Sequence, residues 1–245
     1  MRTPFAASLE LPPPFRLVTL RELGDAFAHA MAIAANEGAG TLVWVGRFDL
    51  VEFAVVLEPD EPLRLARRSI YAGLNALADA LVAHAPPEKS ISIDWPDAIR
   101  VDGGLVGGAR LGWPAGAREN DLPSWLVFGA TIRTVSMTDH EAGLRPLGAA
   151  LEDEGFDDLG SGRLVESFAR HLMLTLDCWQ ESGFDSIAKA VASRLSLEPG
   201  TEQKIDAAGD LLVRRADRAE VKKHKLTPAL AMPSWLDPQT GGPRI

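Results

Sequence analysis

Apolar positions recur along this chain with two periods, and the periods sort its segments. Leu23, Phe27, Ala30, Met31 and Ala34 fall at i, i+4, i+7, i+8 and i+11, the spacing of one helical face. They predict a helix over Glu22–Asn36, closed by Gly38 and Gly40, because glycine readily takes the left-handed backbone past a last turn. Leu65, Ile70, Leu74, Leu77 and Leu81 predict one long helix over Leu63–His84. Arg163–Ser182 is amphipathic, and a further helix is expected from Phe184 to about Leu195. Short β-branched or alternating runs predict strands at Phe15–Leu20, Thr41–Val45, Val51–Leu57, Ser90–Asp94, Ala98–Val101, Leu105–Leu111 and Ser124–Thr134. In the last of these Leu126, Phe128, Ala130 and Ile132 share one face, while Val127, Gly129, Thr131 and Arg133 share the other. The first face reads as core. The second is small and polar enough to lie against a ligand.

Prolines and glycines punctuate these runs. Pro12-Pro13-Pro14 makes a stiff extended lead-in. Asp102-Gly103-Gly104 is a hairpin signal. Met137–Gly162, which contains the acidic stretch 152–158, reads as a mobile connection. Pro199-Gly200 marks a boundary, and Lys204–Arg215 reads as a small hairpin about Ala208-Gly209. Strands cluster rather than alternate strictly with helices, which favours an α+β fold over a doubly wound sheet. The expected division is a main domain over 1–198 and a small C-terminal β cap and tail over 199–245.

Composition narrows the function classes. Apolar residues make up 46 % and charged residues 24 % of 245 positions, an ordinary globular balance. The net charge of −9 argues against a phosphate-neutralising nucleic-acid binder. Cys178 is the one cysteine, which excludes an intrachain disulfide framework and a Cys-only zinc site. The five histidines (His29, His84, His140, His171 and His224) include no i, i+4 pair, so no helical metal site is expected. The opening residues lack the apolar run of a signal peptide, and no stretch approaches the ~18 apolar residues of a membrane span. The expectation is a soluble cytoplasmic protein with neither nucleic-acid nor membrane partners. Dinucleotide and phosphate-loop glycine motifs and the Gly-x-Ser-x-Gly elbow are missing.

The informative segment is 91–111, ISIDWPDAIRVDGGLVGGARL. It resembles the central signature of biotin- and lipoate-protein ligases: a strand, Trp-Pro-Asn-Asp, a hairpin carrying a lysine, then a small-residue pair on the return strand. Trp95 and Pro96 match, Asp97 takes the asparagine position, and Gly107-Gly108 match the small pair. Trp125–Arg133 resembles the family strand with Gly-x-Gly-Ile-Asn, and Ile205–Val213 the start of the family's small β cap. The matches keep the family's order over roughly 15–215. The resemblance implies a mixed, largely antiparallel sheet packed by helices, ATP with Mg, and a biotin-, lipoate- or octanoate-like acid as substrate. It also implies activation of that acid as an acyl-adenylate and transfer to a lysine of a biotinyl or lipoyl carrier domain. Such carriers tend to be acidic, and the basic run Arg214–Lys225 would suit one.

The chemistry departs from the family. Leu105 stands at the hairpin lysine position, Ala98 at the second acid and Arg133 at the asparagine. The Gly/Arg-rich loop that closes over the adenylate shrinks to Gly46-Arg47. Losing one preorganised charge donor costs roughly 10²–10³ in rate. Three readings therefore stand: a ligase in which Arg133 or Arg47 replaces the lysine, a degenerate member that binds an acyl group, nucleotide or carrier domain without ligating, and a purely structural interaction protein, against which the glycine-lined strand faces argue. Arg133 is the catalytic candidate. Gly46, Arg47, Trp95, Pro96, Asp97, Gly107, Gly108, Gly129 and Thr131 are the ligand-binding candidates. Each has a plainer role available, Trp95-Pro96 as packing and turn, Asp97 as a turn cap, the glycines as bulge or close strand approach. Arg100 and Arg110 read as solvated hairpin charges, and Cys178 as a small buried hydrophobe.

Overall fold

The computed structural model describes residues 9–136, 148–156, 159–196, 199–217 and 220–244. Seven strands form one sheet: β1 (Arg16–Leu20), β2 (Thr41–Val45), β3 (Leu50–Leu57), β4 (Ile91–Asp94), β5 (Ala98–Val101), β6 (Gly104–Gly112) and β7 (Leu126–Arg133). Their order is β1-β2-β3-β7-β6-β5-β4, with β1 and β2 parallel and every other neighbouring pair antiparallel. A second sheet holds β8 (Thr201–Ile205), β9 (Leu211–Arg215) and β10 (Val221–His224) in the order β10-β9-β8. The fold is thus the mixed, largely antiparallel α+β arrangement expected. Among the described residues no helix is long and apolar enough to cross a membrane.

Helices cover both faces of the large sheet. On one face α3 (Ser69–Val82) and α4 (Ser161–Ser182) pack together, with α5 (Phe184–Ala192) against both. Their core centres on Phe168, whose ring lies 4.5 Å from that of Phe53 and 5.6 Å from that of Phe128. Gly73 allows this approach, because a Cβ there would stand 2.1 Å from the Phe128 ring. On the other face α1 (Ala26–Glu37) lays Ala26, Ala30 and Ala34 on Val43, Val45, Ala54, Val56 and Val127. The small alanine stripe brings the helix close to the strands.

Several boundaries differ from expectation. Helix α1 begins at Ala26 because Asp25 caps it, its carboxylate accepting the Ala28 N–H at 2.8 Å; Leu23, the first periodic residue, lies outside and fully exposed. The long helix over 63–84 is two, α2 (Leu63–Ala66) and α3, parted at Arg67-Arg68. Those two guanidiniums are buried and turn to different carboxylates, Arg67 to Glu119 at 2.7 Å and Arg68 to Glu61 at 2.5 Å. The hairpin signal holds: Asp102 and Gly103 take φ of 46° and 83° between β5 and β6, as a tight right-twisting turn requires. Of the expected mobile connection, 137–147 and 157–158 lie outside the described residues. Positions 148–156 are instead anchored, the Ala149 and Leu151 N–H groups donating to the Leu105 and Arg133 carbonyls at 3.0 Å each. Cys178 is exposed rather than buried.

Candidate functional site

Register places one polar row inside the α1-covered face. Val45 pairs with Glu52, Glu52 with Thr131, Thr131 with Gly108, and Gly108 with Ala98. Paired residues share a face, so Glu52, Thr131 and Gly108 stand side by side on β3, β7 and β6. Glu52 and Thr131 are nonetheless buried. The start of α1 covers the row from one side: the Ala26 N–H donates to Glu52 Oε1 at 2.9 Å, joining a helix N-terminus to a strand carboxylate. Burial pushes the Glu52 carboxyl above its ordinary range, opposed by that N–H and by the nearby arginines.

Two guanidiniums flank the row. Arg47 grips Asp49 in a two-pronged pair (Nε to Oδ1 2.7 Å, Nη2 to Oδ2 2.6 Å) and stands 3.8 Å from Glu52. The Asp49 bond raises the Arg47 pKa, and Arg47 in turn lowers that of Asp49. Arg110, paired in register with Gly129, stacks 4.4 Å over the Phe27 ring and lies 3.8 Å from Asp25. Burial lowers its pKa. A desolvated guanidinium held by a ring and a distant carboxylate keeps fork-like donor capacity for an acid.

The remaining side of the row is closed by residues 231–244. Trp235, 1 % exposed, lies over Gly108, where a Cβ would stand 2.4 Å from the indole. Its ring N–H donates to the Ala109 carbonyl at 3.0 Å. Ser234 donates to Asp97 Oδ1 at 3.3 Å, and Arg133 Nη2 donates to the Pro243 carbonyl.

The sequence-derived candidates thus separate. Thr131, Gly108 and Arg47 meet on the polar row. Gly129 shares their face, but the face expected to be open there is filled by Phe27, whose ring approaches within 2.5 Å of a Cβ position. Gly107 sits tight against a neighbouring strand, with the Thr131 carbonyl 2.0 Å from its Cβ position, so it serves strand approach. Arg133 ends β7 and holds the 231–244 segment. The Gly46 N–H donates to the Leu20 carbonyl at 3.3 Å, fixing the shortened loop. Asp97 is 1 % exposed; its Oδ2 has no partner and burial lifts its pKa to about 7. Trp95, next to Pro96, turns elsewhere. Its indole N–H donates to the Tyr71 hydroxyl at 2.7 Å, and it lines a groove of about 460 Å³ with Val213, Lys222 and His224 of the small sheet. Arg100 is no solvated charge but pairs with Asp94. Lys89 reaches the β5–β6 hairpin, bound to Glu154 at 2.8 Å and Asp102 at 3.1 Å.

Asp25, Glu52 and Trp235 escape the sequence reading, and Arg110, expected to be a solvated hairpin charge, is instead desolvated and stacked on Phe27. A glutamate inside the apolar run VEFAVVL was a usable signal, since a strand buried on both faces excludes charge unless it is partnered. Arg110 carried no such mark, and a tryptophan amid prolines and glycines gives no periodicity.

A mixed seven-stranded sheet between helices with a small three-stranded antiparallel sheet following it is the catalytic fold of biotin protein ligases. The model of the biotin/lipoate A/B protein ligase family matches residues 11–193, and the chain belongs to that family. It is similar to a biotin protein ligase-like protein of unknown function from Silicibacter sp. TM1040, with 27 % identity and TM-score 0.78, covering 92 % of this chain and 100 % of that one. The Aquifex aeolicus biotin protein ligase, solved with biotin and ATP, shares the fold at 16 % identity and TM-score 0.64, covering 86 % of this chain and 96 % of its own. The Leishmania major biotin protein ligase, solved with biotinyl-5-AMP, shares it at 16 % identity and TM-score 0.51, over 87 % and 99 %. No curated protein sequence matches the chain.

Proposed function

We propose that this chain binds a biotin-, lipoate- or octanoate-like acid on the β3–β7–β6 face beside the start of α1, without the acyl-adenylate step of the ligases. One observation carries the reading: the hairpin lysine position is Leu105, and both expected replacement cations already serve the protein. Arg47 is taken up two-pronged by Asp49, and Arg133 holds the Pro243 carbonyl. Arg110, beside the row, is held only by the Phe27 ring and by Asp25 at 3.8 Å among the described residues, which makes it the group to receive the acid's carboxylate. Glu52, Thr131 and the first turn of α1 supply polar partners for a head group, and Gly108 lets the acid approach the backbone.

The same side chains fit ATP with Mg poorly. The loop between β2 and β3 brings one guanidinium for a triphosphate, and it is already gripped by Asp49. In this reading 1–198 carries the acid site, and 199–245 is a cap whose tail closes it. The relatives solved with biotin and ATP support the acid half of the proposal.

The test is calorimetry with biotin, lipoate and octanoate, alongside pyrophosphate release with ATP and each acid. At least one acid should bind the wild type without release, and Leu105→Lys should create measurable release. Release by the wild type would establish a ligase instead. Absence of binding by all three acids would remove the acid-site reading.

A further inference from the structure

We infer that residues 231–244 form a removable strap, which holds the ligand face closed by seating Trp235 where a ligand would lie. The inference rests on the acid-site reading above and adds its regulation. The strap's own hydrogen bonds make it one unit: Asp237 N–H to the Gly242 carbonyl at 2.9 Å, Gly241 N–H to the Asp237 carbonyl at 2.9 Å, and Arg244 N–H to the Trp235 carbonyl at 2.7 Å. Its hold on the large sheet is narrow. Trp235 inserts over Gly108 and bonds Ala109, Ser234 touches Asp97, Pro243 receives Arg133, and a Cβ at Gly242 would stand 3.8 Å from Leu50. Within the strap only Trp235, Gly242 and Pro243 are buried, whereas Met232 is 81 % exposed.

Two observations distinguish a strap from permanent core. The anchor covers Gly108 and bonds the Ala109 carbonyl, so it sits at the end of the row next in register to Thr131. The closed arrangement also leaves Asp97 Oδ2 buried without a partner beside the anchor. A buried unpaired carboxyl oxygen opposes the closed state, because opening returns it to water. A single aromatic anchor on an internally bonded segment, set against that penalty, gives two discrete positions rather than a graded one. Any ligand of the row then binds only the open fraction, and its apparent affinity falls by that fraction.

The first measurement is amide hydrogen exchange on the wild-type chain. The Asp237, Gly241 and Arg244 amides should exchange far faster than those of β6 and β7, which reports opening without global unfolding. Exchange of both groups at one common rate would overturn the strap. The second is calorimetry with biotin, lipoate and octanoate on Trp235→Ala, with exchange used to verify that β6 and β7 stay protected and the strap is released. The acid that binds should bind on the order of 10²-fold more tightly, since loss of the anchor moves the population to the open form. Equal affinity in a folded variant with a released strap would overturn the plug while leaving the acid site standing. Failure of all three acids to bind either protein would overturn the acid site, and the strap's competition with it.

Discussion

The ring of Phe27 stands where a side chain at Gly129 would project, its Cδ2 2.5 Å from the position of a Cβ. A residue read from sequence as lining a ligand is therefore the floor of a helix–sheet contact. Gly129→Ala should destabilise the protein by about 1–3 kcal/mol through overpacking. Phe27→Ala in the same chain should return part of that loss, because the clash and its partner vanish together. A double-mutant cycle by urea unfolding checks this. Additive effects would place the Gly129 contact elsewhere.

Asp97 gives the protein a pH-dependent stability of unusual sign. Its carboxyl is raised to about 7 by burial, from about 3.9 in the unfolded chain. The native state thus binds the proton more tightly, so this contribution is complete below pH ~4, is lost as pH rises to about 7, and is level above. The span is up to about 4 kcal/mol at ~1.36 kcal/mol per pH unit. Asp97→Asn, which also restores the residue of the family motif, should flatten the profile and stabilise the protein at pH 8 relative to wild type. Urea midpoints at pH 4.5 and 8 decide it. An unchanged slope would mean that water already reaches the buried oxygen.

Arg110 should carry acid binding. Arg110→Gln removes the guanidinium, and the lost charge-assisted bond should weaken the acid by roughly 10- to 100-fold. Arg110→Lys should restore only part, because an ammonium lacks the planar fork. Isothermal titration with the acid that binds wild type gives the comparison. Full affinity in Arg110→Gln would show the carboxylate held by another group.

Tyr71 couples the small sheet to the large one. Its hydroxyl donates to the Gly209 carbonyl at 2.6 Å and accepts the Trp95 indole N–H at 2.7 Å. Tyr71→Phe leaves the buried Gly209 carbonyl unpaired and takes the partner from the half-buried Trp95 indole, so stability should fall by about 1–3 kcal/mol. Amides of β8 and β9 should lose more exchange protection than those of β7. Uniform loss across all three strands would mean that the hydroxyl stabilises the whole domain rather than this junction.

The strands and hairpins were legible because their signals are local. The Asp102-Gly103 turn, the alternation in 126–133 and the Trp95-Pro96 motif act through backbone preference and period two, which neighbours in sequence impose. The split between α2 and α3 was not legible, since Arg67 and Arg68 break the helix by reaching Glu119 and Glu61 from a separate loop and an earlier turn. The third small-sheet strand, VKKH, is exposed throughout and carries no apolar period.

By itself the sequence determined the family, the sheet's strands and which residue types were missing from the ligase chemistry. A lysine replaced by Leu105 is a fact of composition at a position. Tertiary structure alone decided what the candidate residues do, because side-chain roles depend on what crosses the sheet from far along the chain. Phe27 fills Gly129, Asp49 occupies Arg47 and Pro243 occupies Arg133. Trp235 reaches back 126 positions to bond Ala109. Such contacts follow from packing over long loops, where no periodicity in the chain records the partner.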